Sequence, residues 1–306
     1  MYDIIIIGAG TAGISAYKEA IKKTQNILII NDGPWDTTCA RVGCMPSKIL
    51  ISTANRMYEI GHADNLGLDV KSEIDTSRVM HHVQTLRDRF TRATLKDVDS
   101  WPNEHKISGK AEFIDSNTIQ VNGQTFQAKS FILAVGTTPA IDPEQKQILG
   151  DKLITSDQIF ELEQLPKTVA VIGSGVIALE LAQALTRLNV NTTIFFFFLK
   201  IGSLTSPVLQ KLAQEELSKE LKLKFEILPE HYSVEGDLVH LTYTEENVRK
   251  TLQVDYVLAA TGRHPLLNTL GLELISAEFK DLKKLPIDPY TKQLADLPIF
   301  IVGDAY

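Results

Sequence analysis

The chain has 306 residues, of which 44% are hydrophobic and 23% are charged, and this ordinary globular composition predicts about two domains at this length. Its net charge of -7 contains no long block of one sign, which argues against nucleic acid as a partner. No segment could cross a membrane, a start with acidic Asp3 is unlike a signal peptide, and two cysteines cannot make a disulfide scaffold, so we expect a cytoplasmic protein.

The first predicted strand leads into a glycine-rich turn. Residues 3–7 read D-I-I-I-I, a short apolar run typical of a buried strand, and G-A-G-T-A-G follows at once. A helix and a second strand, N-I-L-I-I, come next, so this is a β-α-β unit with G-x-G-x-x-G at its first turn. We expect Gly8 to permit the tight turn, Gly10 to let the backbone approach a pyrophosphate, and Gly13 to let helix and strand pack closely. The start of the helix offers unpaired N–H groups to phosphate.

Both cysteines of the chain lie in the next segment, T-T-C-A-R-V-G-C-M-P-S-K at 37–48. Cys39 and Cys44 could form a structural disulfide, supply two ligands of a metal site, or act as a redox couple. A zinc site is disfavoured because no matching pair of histidines or cysteines is nearby in the sequence. Pro46 predicts a helix that begins there and continues through S-K-I-L, and a helix start beside the charge of Lys48 favours a reactive thiolate.

The same organisation is repeated in the second half of the chain. A long amphipathic helix over 76–97 is followed by a β-rich stretch, in which Asn122-Gly123 predicts a hairpin turn. The β-α-β pattern recurs at 168–198, with G-S-G-V-I-A at its turn and Ala178 at the third glycine position. A second β-rich stretch follows, and the two stretches end alike, in F-I-L-A-V-G-T-T-P and Y-V-L-A-A-T-G-R-H-P. These repeats predict an internal duplication with two nucleotide-binding domains.

Taken together, the motifs resemble those of one family. C-A-R-V-G-C-M-P-S-K is similar to the C-x-x-x-x-C signature of the pyridine-nucleotide disulfide oxidoreductases, within which the dihydrolipoamide dehydrogenase branch is the most similar; glutathione reductase and mercuric reductase share the plan. A-V-G-T-T-P, the two glycine motifs, A-A-T-G-R, L-G-L-E and V-G-D occur in the order of the family, so the resemblance covers the whole chain. It implies an α/β fold with two Rossmann-like domains for FAD and NAD(P), each with an inserted antiparallel β-meander.

The resemblance also implies domain boundaries and a reaction. FAD is expected on residues 1–145 plus 285–306, and NAD or NADP on residues 146–284. The implied enzyme is an FAD-dependent dithiol/disulfide oxidoreductase that moves electrons between NAD(P)H, flavin and a redox-active Cys39-Cys44 disulfide, and thereby serves cell redox homeostasis. Its substrate would be a lipoyl group or a similar small dithiol. The family continues after V-G-D with a dimerisation domain that this sequence does not include, so we expect a homodimer of the full-length protein and incomplete turnover by this chain alone.

Individual residues acquire roles through the resemblance. Cys44 would lie against the flavin, Cys39 would exchange with the dithiol, Lys48 would pair with Glu180 near the flavin ring, and Asp304 would bond the flavin ribitol. Cys39, Cys44, Lys48 and Glu180 are thus the expected catalytic residues, and no metal ligand is expected. The expected cofactor contacts are Gly8, Gly10, Thr11, Ala12, Gly13, Asn31, Asp32, Thr37, Thr38, Lys48, Ala111, Val135, Gly136, Thr137, Gly303, Asp304, Gly173, Ser174, Gly175, Val176, Ile177, Ala178, Glu180, Gly262 and Arg263.

The two strand ends that should bind adenosine ribose depart from the family pattern. Asn31 follows the second strand, where the family has an acid, although an amide can still form hydrogen bonds and Asp32 is adjacent. Phe196 occupies the corresponding place in the second domain, where an acid would select NAD and an arginine would accept NADP. Lys200 could meet a 2′-phosphate, but one flexible lysine is weak support. The sequence therefore does not show whether the second domain binds NAD or NADP.

Two further departures concern the backbone around the flavin site. Asp36-Thr37 replaces two glycines that the family places before T-C, so the backbone approaches a pyrophosphate with less freedom there. Val135 replaces a threonine of the first A-T-G motif, which is a milder change. Both departures predict altered rather than absent FAD contacts.

Two other functions stay open at the level of sequence. A small two-domain flavin reductase of the thioredoxin reductase kind has a similar length, but its C-x-x-C in the nicotinamide domain is missing here. A non-catalytic nucleotide-binding protein is favoured by Asn31, by Phe196 and by the missing third domain. His264 precedes P-L-L-N instead of forming H-P-x-x-E, so we do not expect it to be catalytic. His81 and His82 are adjacent on a helix and diverge, so they cannot chelate one metal ion well.

Overall fold

The computed structural model describes residues 1–306, with seven α-helices and seventeen β-strands. The helices are α1 (Thr11–Ala20), α2 (Thr38–Arg41), α3 (Cys44–Gly61), α4 (Thr76–Asp99), α5 (Pro143–Leu149), α6 (Val176–Arg187) and α7 (Pro207–Ser218). The strands are β1 (Tyr2–Ile7), β2 (Ile27–Asn31), β3 (Lys106–Ser108), β4 (Ala111–Asp115), β5 (Thr118–Val121), β6 (Gln124–Leu133), β7 (Thr137–Pro139), β8 (Leu153–Thr155), β9 (Thr168–Ile172), β10 (Asn191–Phe196), β11 (Lys222–Phe225), β12 (His231–Glu235), β13 (Leu238–Glu245), β14 (Val248–Val254), β15 (Tyr256–Ala259), β16 (Arg263–Pro265) and β17 (Ile299–Ile301). None of the helices combines the length and the apolarity that a bilayer crossing requires.

The chain divides into two compact packing units. Unit 1 consists of residues 1–41, 89–138 and 263–306, and unit 2 consists of residues 42–88 and 139–262. Each unit contains one glycine-rich turn and one mainly parallel sheet, as the duplicated sequence pattern predicts.

Unit 1 is built on a seven-stranded sheet in the order β3-β2-β1-β6-β5-β4, with β17 paired to β6. β1, β2, β3, β17 and the second half of β6 run parallel, whereas β4, β5 and the first half of β6 form an antiparallel meander. Asn122 and Gly123 form the two-residue turn between β5 and β6, with φ angles of 50° and 78°. Two successive positive φ angles suit a type I′ hairpin turn, so the predicted Asn-Gly hairpin is confirmed.

The core of unit 1 lies on both faces of this sheet, because alternate residues of a strand point to opposite faces. Ile5 and Leu28 pack on one face with Phe113 and Phe131, and Ile6 packs on the other face with residues of α1. All five of these side chains are fully buried. A sheet covered on both sides explains why β1 and β2 read as continuous apolar runs rather than as alternating ones.

Unit 2 repeats this plan with a five-stranded parallel sheet in the order β11-β10-β9-β15-β8. The meander of this unit, β12-β13-β14, forms a separate three-stranded antiparallel sheet. Val171 and Phe196 face a core shared with α3, α4 and α6, whereas Ala170 and Phe195 face a core shared with the meander. The predicted α/β class, with two Rossmann-like units that each carry an antiparallel meander, is confirmed.

The packing units differ from the expected cofactor domains in three segments, 42–88, 139–145 and 263–284. Residues 42–88 belong to unit 2 because Leu50 and Met80 are fully buried in its core beside α6. Residues 263–284 belong to unit 1 because Leu272 and Phe279 are buried in its core. Apolar side chains outside the two glycine repeats thus decide the packing, whereas the expected boundaries came from the family resemblance. Which residues make up each cofactor domain stays a prediction.

Candidate functional site

The first glycine turn connects β1 to α1 without room for other side chains at two positions. Gly8 has a φ of 104°, and a Cβ placed on it would lie 2.3 Å from the carbonyl oxygen of Ala134. Its N–H donates to the carbonyl oxygen of Ile30 at 2.7 Å, which fastens the turn to the end of β2. A Cβ on Gly13 would lie 1.8 Å from the carbonyl oxygen of Gly8. These contacts explain the first and third glycines of the motif by backbone packing alone.

The middle glycine of the same turn is different, because it faces open space. Gly10 is the N-cap of α1, and no atom lies within 4 Å of the place that its Cβ would occupy. Its backbone is extended, with φ −71° and ψ −176°, and no side chain caps the helix. The first N–H groups of α1 therefore point into an unfilled cradle that suits a phosphate group. Gly303, beyond β17, lies against this turn, since a Cβ on it would be 2.7 Å from the Cβ of Ala12.

The second glycine turn, between β9 and α6, reproduces this geometry. Gly173 has a φ of 138°, and a Cβ on it would lie 2.1 Å from the carbonyl oxygen of Ala260. Gly175 is the N-cap of α6, with an extended backbone and no atom within 4 Å of its Cβ position. Ala178 at the third position is fully buried, so a methyl group fits where unit 1 requires glycine. Val176 and Ile177 are exposed in the first turn of α6, beside this second cradle.

The side chain of Asn31 is already engaged by its own loop. Its Oδ1 accepts a hydrogen bond from the N–H of Ala9 at 2.8 Å. Its Nδ2 donates to the carbonyl oxygens of Gly33 and Pro34, both at 2.9 Å. A carboxylate could accept from Ala9 but could not donate to the other two, so the amide fixes the loop after β2 in a way that an acid would not. Asp32 is exposed at the same strand end.

The segment before the cysteines has a strained backbone at one residue. Thr37 has a φ of 66°, in the left-handed region that β-branched residues seldom adopt. Its Oγ1 accepts a hydrogen bond from the N–H of Ala40 at 3.1 Å and thereby caps the short helix α2. Asp36 is buried and bonds to Arg41, with Nε–Oδ1 at 3.2 Å. Sequence reasoning missed Arg41, whose spacing of five residues from Asp36 gives no recognisable signal.

The two cysteines lie in two consecutive helices, α2 and α3. Cys39 is half-buried in α2, and Cys44 is the exposed first residue of α3. The helix predicted after the cysteines is present, and it begins at Cys44, two residues before Pro46, with Gly43 as an N-cap that has no side-chain cap. No acidic residue occurs in the first turn of α3, which leaves the positive end of the helix dipole at Cys44 uncompensated. No third His, Cys, Asp or Glu joins either cysteine in a cluster that could hold a metal ion.

Lys48 and Glu180, which the sequence expects to pair, are brought together within unit 2. Nζ of Lys48 lies 2.7 Å from Oε1 of Glu180, and the two side chains are 59% and 39% exposed. Lys48 lies one turn into α3, and Glu180 lies one turn into α6, after the second glycine turn. An exposed ion pair of this kind contributes only about 0–1 kcal/mol to folding, so stability does not explain its position. Their catalytic roles stay a prediction.

Arg263, an expected nucleotide contact, is held by unit 1. Its Nε donates to Oγ1 of Thr137 at 2.8 Å, and its Nη2 donates to the carbonyl oxygen of Thr137 at 3.0 Å. The guanidinium thereby braces the two-stranded ladder of β7 and β16. Gly136 accepts a backbone hydrogen bond from Leu266 at 3.0 Å on the same ladder. Whether Arg263 also contacts a nucleotide stays a prediction, as do the contacts expected of the other residues of this segment.

Phe196 corresponds to Asn31 by register as well as by sequence. Gly173 donates to the carbonyl oxygen of Phe195 at 3.0 Å, just as Gly8 donates to that of Ile30. The residue after each carbonyl ends its strand, and in unit 2 this is Phe196, which is fully buried. Its ring packs against that of Phe225, with centroids 4.7 Å apart. The side chain therefore belongs to the core and cannot reach a ligand.

A family model for pyridine nucleotide-disulphide oxidoreductases matches residues 2–306, almost the whole chain. A dihydrolipoyl dehydrogenase from Staphylococcus aureus is 29% identical over 310 residues, which is 99% of this chain and 65% of the relative. A mercuric reductase from Staphylococcus aureus is 32% identical over 289 residues, which is 92% of this chain and 52% of the relative. The chain thus spans about 65% of the length of the dihydrolipoyl dehydrogenases that it matches.

Solved structures share the fold. LpdA from Mycobacterium tuberculosis superposes with a TM-score of 0.81 at 24% identity and covers 100% of this chain and 68% of its own. The HOCl-induced flavoprotein disulfide reductase RclA from Escherichia coli, in a Cu(II) complex, superposes with a TM-score of 0.78 at 19% identity, over 99% of this chain and 66% of its own. At these identities the likeness establishes the fold and leaves the chemistry to the residues described above.

Proposed function

Because the chain belongs to the pyridine nucleotide-disulphide oxidoreductase family, whose cofactors are FAD and NAD(P), we propose that it forms the cofactor-binding part of a flavoprotein that exchanges electrons between NAD(P)H and a small disulfide. The observation that carries this proposal is the exposed Cys44 at the uncapped start of α3, five positions after Cys39 in the family's cysteine motif. A dihydrolipoyl dehydrogenase type of reaction, with a lipoyl group or a similar dithiol as substrate, is the finer form of the proposal.

Both glycine turns fit the cofactors. The cradle at Gly10 would hold the pyrophosphate of FAD at the start of α1, and the cradle at Gly175 would hold that of the nicotinamide nucleotide at the start of α6. Gly303 lies beside the first cradle, and Asp304 follows it. Bound FAD would supply two-electron transfer between nicotinamide and the cysteine pair.

The reduced cysteine pair would act by thiol–disulfide exchange. The Cys39 thiolate attacks one sulfur of the substrate disulfide, forms a mixed disulfide, and expels the other substrate sulfur as a thiolate, which takes up a proton. The Cys44 thiolate then attacks the Cys39 sulfur, which forms the Cys39-Cys44 disulfide and expels the second substrate sulfur as a thiolate, which takes up a proton from water. The substrate gains two electrons and two protons, and the pair loses two electrons. Cys44 is exposed at the start of α3, where an attacking thiolate is accessible.

Lys48 and Glu180 would position the cofactors in this scheme. Their ion pair joins the cysteine helix α3 to the glycine helix α6, so a change at either residue affects both helices. We also propose a cytoplasmic location, which rests on the low cysteine count, and a homodimeric full-length protein, which rests on the resemblance alone. A non-catalytic nucleotide-binding role is a second candidate, and it is supported by the engaged Asn31 and the buried Phe196.

Two matched glycine variants test the assignment of the cradles. In Gly10→Val and Gly175→Val the new side chain enters open space on an extended backbone, so both proteins should fold as well as the parent. We expect Gly10→Val to lose at least tenfold in FAD affinity and to keep the affinity for the nicotinamide nucleotide, with the reverse result for Gly175→Val. Titration of purified chain with each cofactor, followed by fluorescence, measures both constants. Retention of FAD binding in folded Gly10→Val would refute the placement of FAD.

A further inference from the structure

The end of β10 offers no polar side chain to a ribose. Phe196 is fully buried, and the next three residues, Phe197, Phe198 and Leu199, are 45%, 70% and 52% exposed. None of the four can accept a hydrogen bond from a ribose 2′-OH or repel a 2′-phosphate. In Rossmann folds an acid at this place selects NAD, because it does both. Any selection between NAD and NADP at this strand end must therefore come from residues farther along the loop that follows it.

That loop is held in place beside the second glycine turn. The N–H of Gly202 donates to the carbonyl oxygen of Ser174 at 2.8 Å, which ties the loop to the turn itself. Gln210 on α7 fastens it from the other side, since its Oε1 accepts from the N–H of Ile201 at 2.7 Å and its Nε2 donates to the carbonyl oxygen of Ile201 at 3.3 Å. The backbone that directly follows Lys200 is thus organised before any ligand binds.

A cavity of about 530 Å³ lies between this loop and α7, and its charged side chains are all basic. Lys200 and Lys211 line the cavity, and no aspartate or glutamate does. Lys200 is exposed. Lys211 is 80% exposed, and its one ion pair, to Glu215, is long at 3.9 Å. Both cations are therefore available to an anion at this end of unit 2.

Building on the proposed function, we propose that the second glycine turn prefers NADPH to NADH, with Lys200 and Lys211 as the residues that select the 2′-phosphate. A phosphate monoester carries about −1.5 to −2 charges at pH 7, and the residues that line the cavity include two lysines and no aspartate or glutamate. Contacts between exposed charges are individually weak, so we expect NADPH to bind about fivefold to tenfold more tightly at low salt. The preference should shrink as salt rises, because exposed charges are screened.

The test compares dissociation constants of NADPH and NADH for the purified chain, measured by calorimetric titration at low and high salt. Lys200→Glu and Lys211→Glu should each weaken NADPH binding about threefold or more and leave NADH binding within about twofold. Lys167→Glu is the matched control, because it makes the same charge change in unit 2 at the amino end of β9, away from the cavity. It should change neither constant. Melting temperatures of the variants verify that these exposed substitutions leave the fold intact.

The outcomes separate this inference from the proposed function. An NADPH preference that falls in Lys200→Glu, persists in Lys167→Glu and weakens with salt supports the inference. NADH binding as tightly as NADPH, or an equal loss of both nucleotides in Lys200→Glu, overturns the inference and leaves the proposed function standing. A parent chain that binds neither nucleotide overturns both.

Discussion

Thr37 shows how a single residue can carry opposing effects at a candidate site. The left-handed backbone at this position costs an ordinary residue about 1–2 kcal/mol, and glycine avoids that cost. The Thr37 hydroxyl partly offsets it by capping α2 through Ala40, and a lost threonine cap costs roughly 0.5–2 kcal/mol. A glycine at this position, as in the family pattern, would adopt the left-handed backbone without strain. This chain instead keeps the strained threonine, whose hydroxyl adds a hydrogen bond.

Glycine and alanine at position 37 should therefore affect the free energy of unfolding differently. Thr37→Gly relieves the strain and loses the cap, so we expect it to be at least as stable as the parent. Thr37→Ala keeps a left-handed backbone and loses the cap, so we expect a loss of about 1 kcal/mol. Urea unfolding of both variants measures the difference, with the exposed neighbour Thr38→Ala as a control that should change little. Equal destabilisation by glycine and alanine would mean that the strain is not real.

At the scale of elements, the end of α6 is fixed to the segment after α7 by one charged cluster. Glu220 accepts from Nη2 of Arg187 at 3.0 Å and from Nε2 of Gln183 at 2.8 Å. Burial alone would raise the pKa of Glu220, but the hydrogen bonds and charge of Arg187 and the bond from Gln183 outweigh it, so the pKa is lowered. The ionised form of Glu220 is therefore favoured by folding.

This lowered pKa predicts a pH dependence of stability. A carboxyl group whose pKa falls on folding stabilises the protein above its unfolded value, near 4.5, and the contribution is lost as pH falls through the folded value. Glu220→Gln should therefore cost about 1–3 kcal/mol at pH 7 and progressively less below pH 4.5. Urea unfolding across this pH range measures the effect. Glu216→Gln, which breaks only an exposed pair with Lys219, should cost under about 1 kcal/mol, and an equal loss in both variants would contradict the account.

For the whole molecule, the sequence predicts the repeated plan well because glycines and apolar runs act locally. Gly13 is required by a backbone contact within its own turn, and Gly8 and Gly173 are required by their positive φ angles, so these local requirements leave a recognisable motif. The Lys48–Glu180 pair joins residues far apart in the chain, and only a resemblance could suggest it. The division of the chain into packing units could not be predicted, because Leu50 and Phe279 leave their repeats to fill cores elsewhere.

The same limit applies to the second nucleotide site. The sequence identifies Phe196 as unusual. Only its buried ring shows that residues of the loop after β10 must distinguish NAD from NADP. Gln210 holds that loop through its side chain, and a glutamine in an amphipathic helix carries no such signal in sequence. Long-range side-chain hydrogen bonds of this kind have no spacing rule, so they appear only in the structure.

The central claim is that Cys39 and Cys44 are a redox couple which works with bound flavin. The most direct measurement is the visible absorption spectrum of the purified chain with FAD, before and after one equivalent of dithiol. A new long-wavelength band on reduction, lost in Cys44→Ser, is the predicted result, since it reports a thiolate in contact with the flavin. Bound flavin without that band would mean that the cysteines are structural, and a chain that takes up no FAD would contradict the account.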